Sequence, residues 1–117
     1  MTEKRKFLRF EAVFNALCDI IGSGYKEACR IKNISKEGAL VIINRKLNEG
    51  DEINLSMDVP GDNVPIFASG EVAWQKDSTH SDKYDTGVKF TKINSLDKGR
   101  LLEYIYTQWL RLLNKTP

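Results

Sequence analysis

This sequence is poor in the residues from which catalytic and metal centres are built. It has one histidine, His80, set in a polar stretch, and two cysteines, Cys18 and Cys29, with no CxxC spacing and no histidine beside them. A zinc-type site needs several such ligands at close spacing, so no metal is expected. The two cysteines fall in different strand-like segments and read as reduced core thiols, as in a cytoplasmic protein. There is no GxSxG elbow, no glycine-rich phosphate loop ahead of a helix, and no nucleophile paired with a base. The carboxylates sit in turns and on polar strand faces, where solvation accounts for them, so catalysis is not expected. Long apolar runs are missing too. The longest, Ala39 to Ile43, is far short of the ~20 residues of a spanning helix, and no charged-then-apolar leader opens the chain. A soluble, cytoplasmic protein without membrane insertion is expected.

What the sequence does have is positive charge gathered at one end. Residues 1–10 carry Lys4, Arg5, Lys6 and Arg9 against Glu3, a net of +3, while the whole chain of 117 residues is only +2; the remainder is close to neutral. Charge concentrated in this way marks a local anion site more than a surface that follows a polyanion, and it counts against a partner that is a nucleic acid polymer. Arg5 and Arg9 add planar forks that grip a phosphate, or the O6/N7 edge of a guanine, through two parallel hydrogen bonds.

The length fits one domain with a single core. Phe10, Ala12, Phe14, Ala16, Cys18 and Ile20 alternate with mostly polar neighbours, which predicts a first strand. Gly22-Ser23-Gly24 predicts a tight reversal into a second strand, from Tyr25 to about Ile34. Asn33 to Gly38 reads as a turn whose side chains bond their own backbone. Ala39 to Ile43, continuously apolar and rich in β-branched residues, predicts a strand covered on both faces. Ile53, Leu55, Met57 and Val59 alternate as a fourth strand. Pro60 to Pro65 forces a loop, because proline lacks the ladder donor. Ile66, Ala68, Gly70, Val72 and Trp74 form a fifth strand, Gln75 to Asp85 an exposed connection, and Tyr84 to Thr91 a sixth. Six short antiparallel strands suggest a mainly β fold, a closed or nearly closed six-stranded barrel. After Asn94-Ser95, either of which can cap a helix, Leu101, Leu102, Ile105, Trp109, Leu112 and Leu113 recur at threes and fours and predict a C-terminal α-helix from about Leu96 to Leu113. Its apolar stripe packs over the barrel in the simplest arrangement. Tyr104, Tyr106 and Trp109 leave aromatic surface for a second chain, so a homodimer stays open as an alternative. Trp74 and Trp109 read as packing residues rather than base-stacking platforms. The organisation is thus an N-terminal basic arm over 1–9, a barrel over 10–93 and a helical segment over 94–117.

Three motifs, in order, carry a resemblance: Arg5-x-x-x-Arg9 before the first strand, Asn33-x-Ser35-x-x-Gly38 after the second, and Gly87-Val88-Lys89-Phe90 near the end of the sheet. The chain resembles the PilZ domain over nearly its whole length. RxxxR and NxSxxG are each common by chance; together, on the expected elements, they are specific. The resemblance implies a six-stranded barrel with a C-terminal helix. It also implies a receptor for the bacterial second messenger cyclic di-GMP, signalling to a downstream protein that controls motility or exopolysaccharide output. On that pattern Arg5 and Arg9 bind phosphate and guanine groups, Asn33 and Ser35 contact a guanine, and Gly38 shapes the turn. Only four residues precede Arg5, so the extra upstream domain of some members is not expected. The physical reading agrees: two phosphates and two guanines call for charge, bidentate donors and a glycine that allows close approach. Ordering the arm costs on the order of 1–2 kcal/mol per residue and one Arg–guanine pair returns ~1–3 kcal/mol, so an arm ordered by its ligand needs several contacts at once. The alternatives are a PilZ-like protein-interaction module that does not bind the nucleotide and a single-strand nucleic-acid-binding barrel.

Overall fold

The computed structural model describes residues 10–78 and 82–114. It shows a closed antiparallel barrel followed by one helix. The strands are β1 (Phe10–Ile20), β2 (Tyr25–Ile34), β3 (Gly38–Ile43), β4 (Glu52–Met57), β5 (Ile66–Asp77) and β6 (Tyr84–Lys92), and the helix is α1 (Ser95–Asn114). Around the barrel the order is β1, β2, β3, β6, β5, β4, and β4 closes on β1. Closure leaves no free strand edge, which is how a sheet this small avoids pairing with other chains.

Alternation determines which side chains fill the interior. Phe14, Ala16, Cys18 and Ile20 of β1 point inward with Ile31 of β2, Val41 and Ile43 of β3, Ile53, Leu55 and Met57 of β4, and Ile66 and Val72 of β5. The hairpin joining β1 to β2 reverses at Gly22 and Gly24, whose φ values of 84° and 69° lie in the left-handed region that favours glycine. One strand departs from expectation. β3 is not covered on both faces: Ala39, Val41 and Ile43 are sealed inside, whereas Leu40 and Ile42 are half-buried on the outer wall. A continuous apolar run does not reveal whether a second layer lies outside it.

Cys18 and Cys29 lie side by side in the interior on β1 and β2, both buried. The hydrogen bond that the Cys29 S–H donates to its neighbour Cys18, together with burial, pushes the Cys29 thiol far above its ordinary value. Thiolate is the reactive form. The same bond lowers Cys18, but both side chains are sealed in the interior, 0% and 6% exposed, so we expect neither cysteine to react with a thiol reagent such as dithionitrobenzoate in the native protein, and both to react once the chain is unfolded in guanidinium. Rapid native labelling would contradict this packing.

The helix closes one end of the barrel. Asn94 is its cap: its side-chain oxygen accepts from the Asp97 backbone N–H at 2.8 Å and its carbonyl from that of Lys98 at 2.8 Å. Leu101 is buried against the core, and the Tyr104 ring meets Phe14 edge to face at 5.9 Å. Asp97, also buried, accepts from the Phe67 backbone N–H at 3.2 Å and from Arg100 at 2.9 Å. Arg100 reaches on to Asp62 at 2.7 Å and donates to the carbonyls of Val64 and Pro65. This guanidinium holds the Asp62 carboxyl below its ordinary value. The helix is therefore pinned by its N-terminal half.

Candidate functional site

The turn from β2 to β3 is built from the motif residues themselves. The Ser35 backbone N–H donates to the Gly38 carbonyl at 2.9 Å, and the Ser35 hydroxyl accepts from the Glu37 N–H at 3.3 Å. The same hydroxyl donates to the Gly38 carbonyl at 3.4 Å. The Phe90 N–H donates to the Glu37 carbonyl at 2.8 Å, which straps the turn to β6. Gly38 itself lies against β6: a Cβ at this position would stand 2.1 Å from the Val88 carbonyl oxygen. Its role is close approach of two backbones, which only glycine permits.

Asn33, half-buried on the outer wall, starts a row that crosses four strands. It pairs with Leu40, Leu40 with Gly87, and Gly87 with Trp74. The Trp74 indole lies directly over Gly87, where a Cβ would meet the ring nitrogen at 2.3 Å. A small cleft of about 160 Å³ opens there, lined by Glu37 of the turn and by Trp74, Gly87, Val88 and Lys89. The Lys76 ammonium stands 5.8 Å from the indole centroid. The result is a wall low in side-chain relief, with one aromatic face, next to a turn rich in polar groups.

Trp74 corrects the packing expectation. It is 44% exposed. The strict alternation of 66, 68, 70 and 72 places residue 74 inside, but the pairing register of β5 on β6 shifts between Val72 and Trp74. Such a bulge adds one residue and turns the following side chain to the opposite face. Gln75 takes the inward place. Its side-chain oxygen accepts from the Leu47 N–H at 2.7 Å, and its amide donates to the Arg45 carbonyl and the Thr86 hydroxyl, both at 3.0 Å. The only sequence clue to an outward Trp74 is a glycine on the neighbouring strand. Trp109 is likewise 38% exposed rather than packed on the barrel.

Of the five residues singled out for binding, the structure brings Asn33, Ser35 and Gly38 together in one turn. Arg5 and Arg9, with the whole 1–9 arm, lie outside the described residues, as does His80. The chain nevertheless enters the barrel at Phe10, and Phe10 pairs with Ile34, between Asn33 and Ser35. The first described residue after the RxxxR motif is therefore paired at the corner formed by the Asn33–Gly38 turn. Among the described residues a larger groove, about 550 Å³, runs across the outer faces of β1, β4 and β5 and contains none of the motif residues. Also among the described residues, no group of three or more His, Cys, Asp or Glu side chains is placed to hold a metal ion, and no helix is long and apolar enough to cross a membrane.

Residues 3–107 match the PilZ domain family. The chain belongs to that family. No curated protein matches the sequence significantly. Several solved structures share the PilZ fold. The Bacillus subtilis inhibitor of motility MotI/DgrA superposes with a TM-score of 0.79 at 21% identity, covering 99% of this chain and 55% of that one. The K. pneumonia MrkH–c-di-GMP complex gives 0.75 at 15% identity, covering 98% and 57%. The PilZ domain of YcgR from Escherichia coli, with c-di-GMP, gives 0.68 at 12% identity, covering 97% and 96%. The chain thus spans about half the length of the MotI and MrkH chains and nearly all of the isolated YcgR domain. At these identities the likeness establishes the PilZ barrel and helix and nothing finer.

Proposed function

We propose that this PilZ domain is a cytoplasmic receptor for cyclic di-GMP that conveys ligand occupancy to a partner protein controlling motility or exopolysaccharide output. The observation that supports the reading is the pairing of Phe10, the residue that follows Arg9 in sequence, with Ile34, inside the Asn33–Gly38 turn. Arg5 and Arg9 supply forks for phosphate and guanine, Asn33 and Ser35 contact a guanine, and Gly38 keeps the turn close to β6. MrkH and the YcgR PilZ domain, which share the fold, are known as complexes with this ligand. Binding draws the basic arm onto the turn, and the changed surface is what a partner reads.

Calorimetric titration tests the reading. Cyclic di-GMP should bind in preference to GTP and linear oligonucleotides, because it alone presents two guanines and two phosphates compactly. Amide exchange over residues 1–8 should slow when ligand is added. Arg5→Lys or Arg9→Lys keeps the charge and removes the fork, so each should weaken binding about tenfold or more at fixed salt. Lys6→Arg should not restore the loss. No heat at high ligand excess would leave a protein-interaction module that does not bind the nucleotide. Parent-like binding by both lysine variants would remove the guanine-reading roles of Arg5 and Arg9.

A further inference from the structure

The closed barrel has no free strand edge, so a partner chain cannot add a strand to it and has to be held by side chains on the outer wall. The 550 Å³ groove across β1, β4 and β5 offers such side chains. In it the strand pairing sets two rows of outward residues next to each other. Lys26, Asp19, Asn54, Ser69 and Lys92 face one another from strand to strand and make a polar bank. Two residues along the same strands, Leu17, Ser56 and Phe67 make the second bank. It is mainly apolar, with Leu17 48% and Phe67 55% exposed. Leu55 and Ala68, which lie between the rows in sequence, form the floor.

The two banks identify the occupant. They stand two residues apart on each strand, about 6.8 Å, too narrow for a helix of ~10–12 Å but wide enough for an extended chain, whose side chains alternate between two sides. Side chains of one parity then meet Leu17 and Phe67, and those of the other meet the polar row. Charge sets the ends. Among the described residues neither Lys26 nor Lys92 forms a salt bridge, so both ammonium groups are available to carboxylates. In the middle, Asp19 repels a carboxylate, while the Ser69 hydroxyl donates to the Asn54 side-chain oxygen at 2.7 Å and leaves the Asn54 amide to donate. The complementary segment therefore reads acid, apolar, polar, apolar, acid. From Lys26 to Lys92 is four strand spacings, under about 19 Å on a curved wall, and five extended residues bridge it once the lysine side chains reach inward.

We propose that this groove is the docking site for an extended segment of a partner protein, alternating in apolar and polar residues with a carboxylate at each end. The groove gives the receptor's partner a surface, and the assignment rests on the receptor reading only for the existence of that partner. In the ring of strands β4 stands three places from β3 in either direction. The segment thus docks across the barrel from the strand that begins at Gly38, and ligand and partner do not compete.

Two-dimensional amide NMR titration of the full chain, without nucleotide, tests the docking site, so its failure and a failure to bind cyclic di-GMP are separate results. The probe is the peptide Glu-Leu-Ser-Val-Glu flanked by glycines. The amides of Leu17, Asn54, Ser56 and Phe67 should shift on its addition, while those of the Asn33–Gly38 turn stay in place. Lys26→Glu with Lys92→Glu should weaken binding about tenfold or more, and a peptide with lysine at both ends should bind this double variant better than it binds the parent. Phe67→Ser should weaken binding by a similar factor. All three positions are exposed, and the dispersion of each spectrum shows whether the variant is folded; the lysine variant alone decides if Phe67→Ser fails to fold. No shift at millimolar peptide overturns the proposal. So do shifts centred elsewhere, equal binding by a scrambled peptide of the same composition, and parent-like binding by the double variant. Shifts at the same amides on concentrating the protein alone would put a second copy in the groove and overturn it too.

Discussion

Replacing Gly38 by alanine is expected to lower the stability of the barrel by about 3 kcal/mol. The added Cβ would meet the Val88 carbonyl oxygen at 2.1 Å and the Lys89 Cα at 3.3 Å. Both are backbone atoms of β6, so no side-chain rotation relieves the overlap. β3 has to move off β6 where Gly38 pairs with Lys89, and the bond from the Phe90 N–H to the Glu37 carbonyl goes with it. The motif turn is therefore disturbed along with the sheet. Urea denaturation should show the loss as a lower midpoint at unchanged slope, and titration should show weakened cyclic di-GMP binding in whatever folds. Gly99 serves as the internal contrast. It lies within α1, has no atom within 4 Å of its would-be Cβ, and on helix propensity Gly99→Ala should stabilise by ~0.5–1 kcal/mol. Equal effects at the two glycines would show that close approach at Gly38 is not what the turn requires.

Leu101→Ala should be as severe, at about 3 kcal/mol, for a different reason. Leu101 is 1% exposed and is the α1 side chain set most deeply in the barrel. Truncation leaves a cavity at the closed end, where Phe14 and Tyr104 already meet in an edge-to-face contact and have little freedom to collapse inward. Leu96, one helical turn and a half away and 76% exposed, should tolerate the same truncation within about 0.5 kcal/mol. Comparison of their denaturation midpoints separates a helix held by one buried side chain from one held mainly by the polar cluster of Asp97, Arg100 and Asp62. Similar losses at Leu96 and Leu101 would favour the cluster.

The candidate site was partly legible because its motif residues do local work. Asn33, Ser35 and Gly38 lie within six positions, and a turn of Asx- and Ser-type residues ending on glycine reports its own backbone geometry. Trp74 was not legible. Its outward face depends on a register shift between β5 and β6, a property of two strands aligned in space that no alternation within one strand records. The same limit applies to Trp109 and Tyr106. Helical spacing shows that they lie on an apolar stripe, but which part of the stripe meets the barrel depends on the angle at which Asp97 and Arg100 pin the helix.

By itself, the sequence determined the number and kind of elements. Burial of one face imposes period two on strands and about 3.6 on helices, and proline and glycine mark where each element must stop. It determined the inward faces of β1 and β4 as well, since alternation from Phe14 to Ile20 and from Ile53 to Met57 admits only one inward face. Only the tertiary structure decided that β3 runs beside β6 rather than β4, that β4 closes on β1, and that Phe10 enters opposite Ile34, bringing the arm's attachment point to the motif turn. Those are pairings between residues far apart in the chain. Their free energy comes from contacts that exist only once the barrel is closed, and no local pattern of residues carries it.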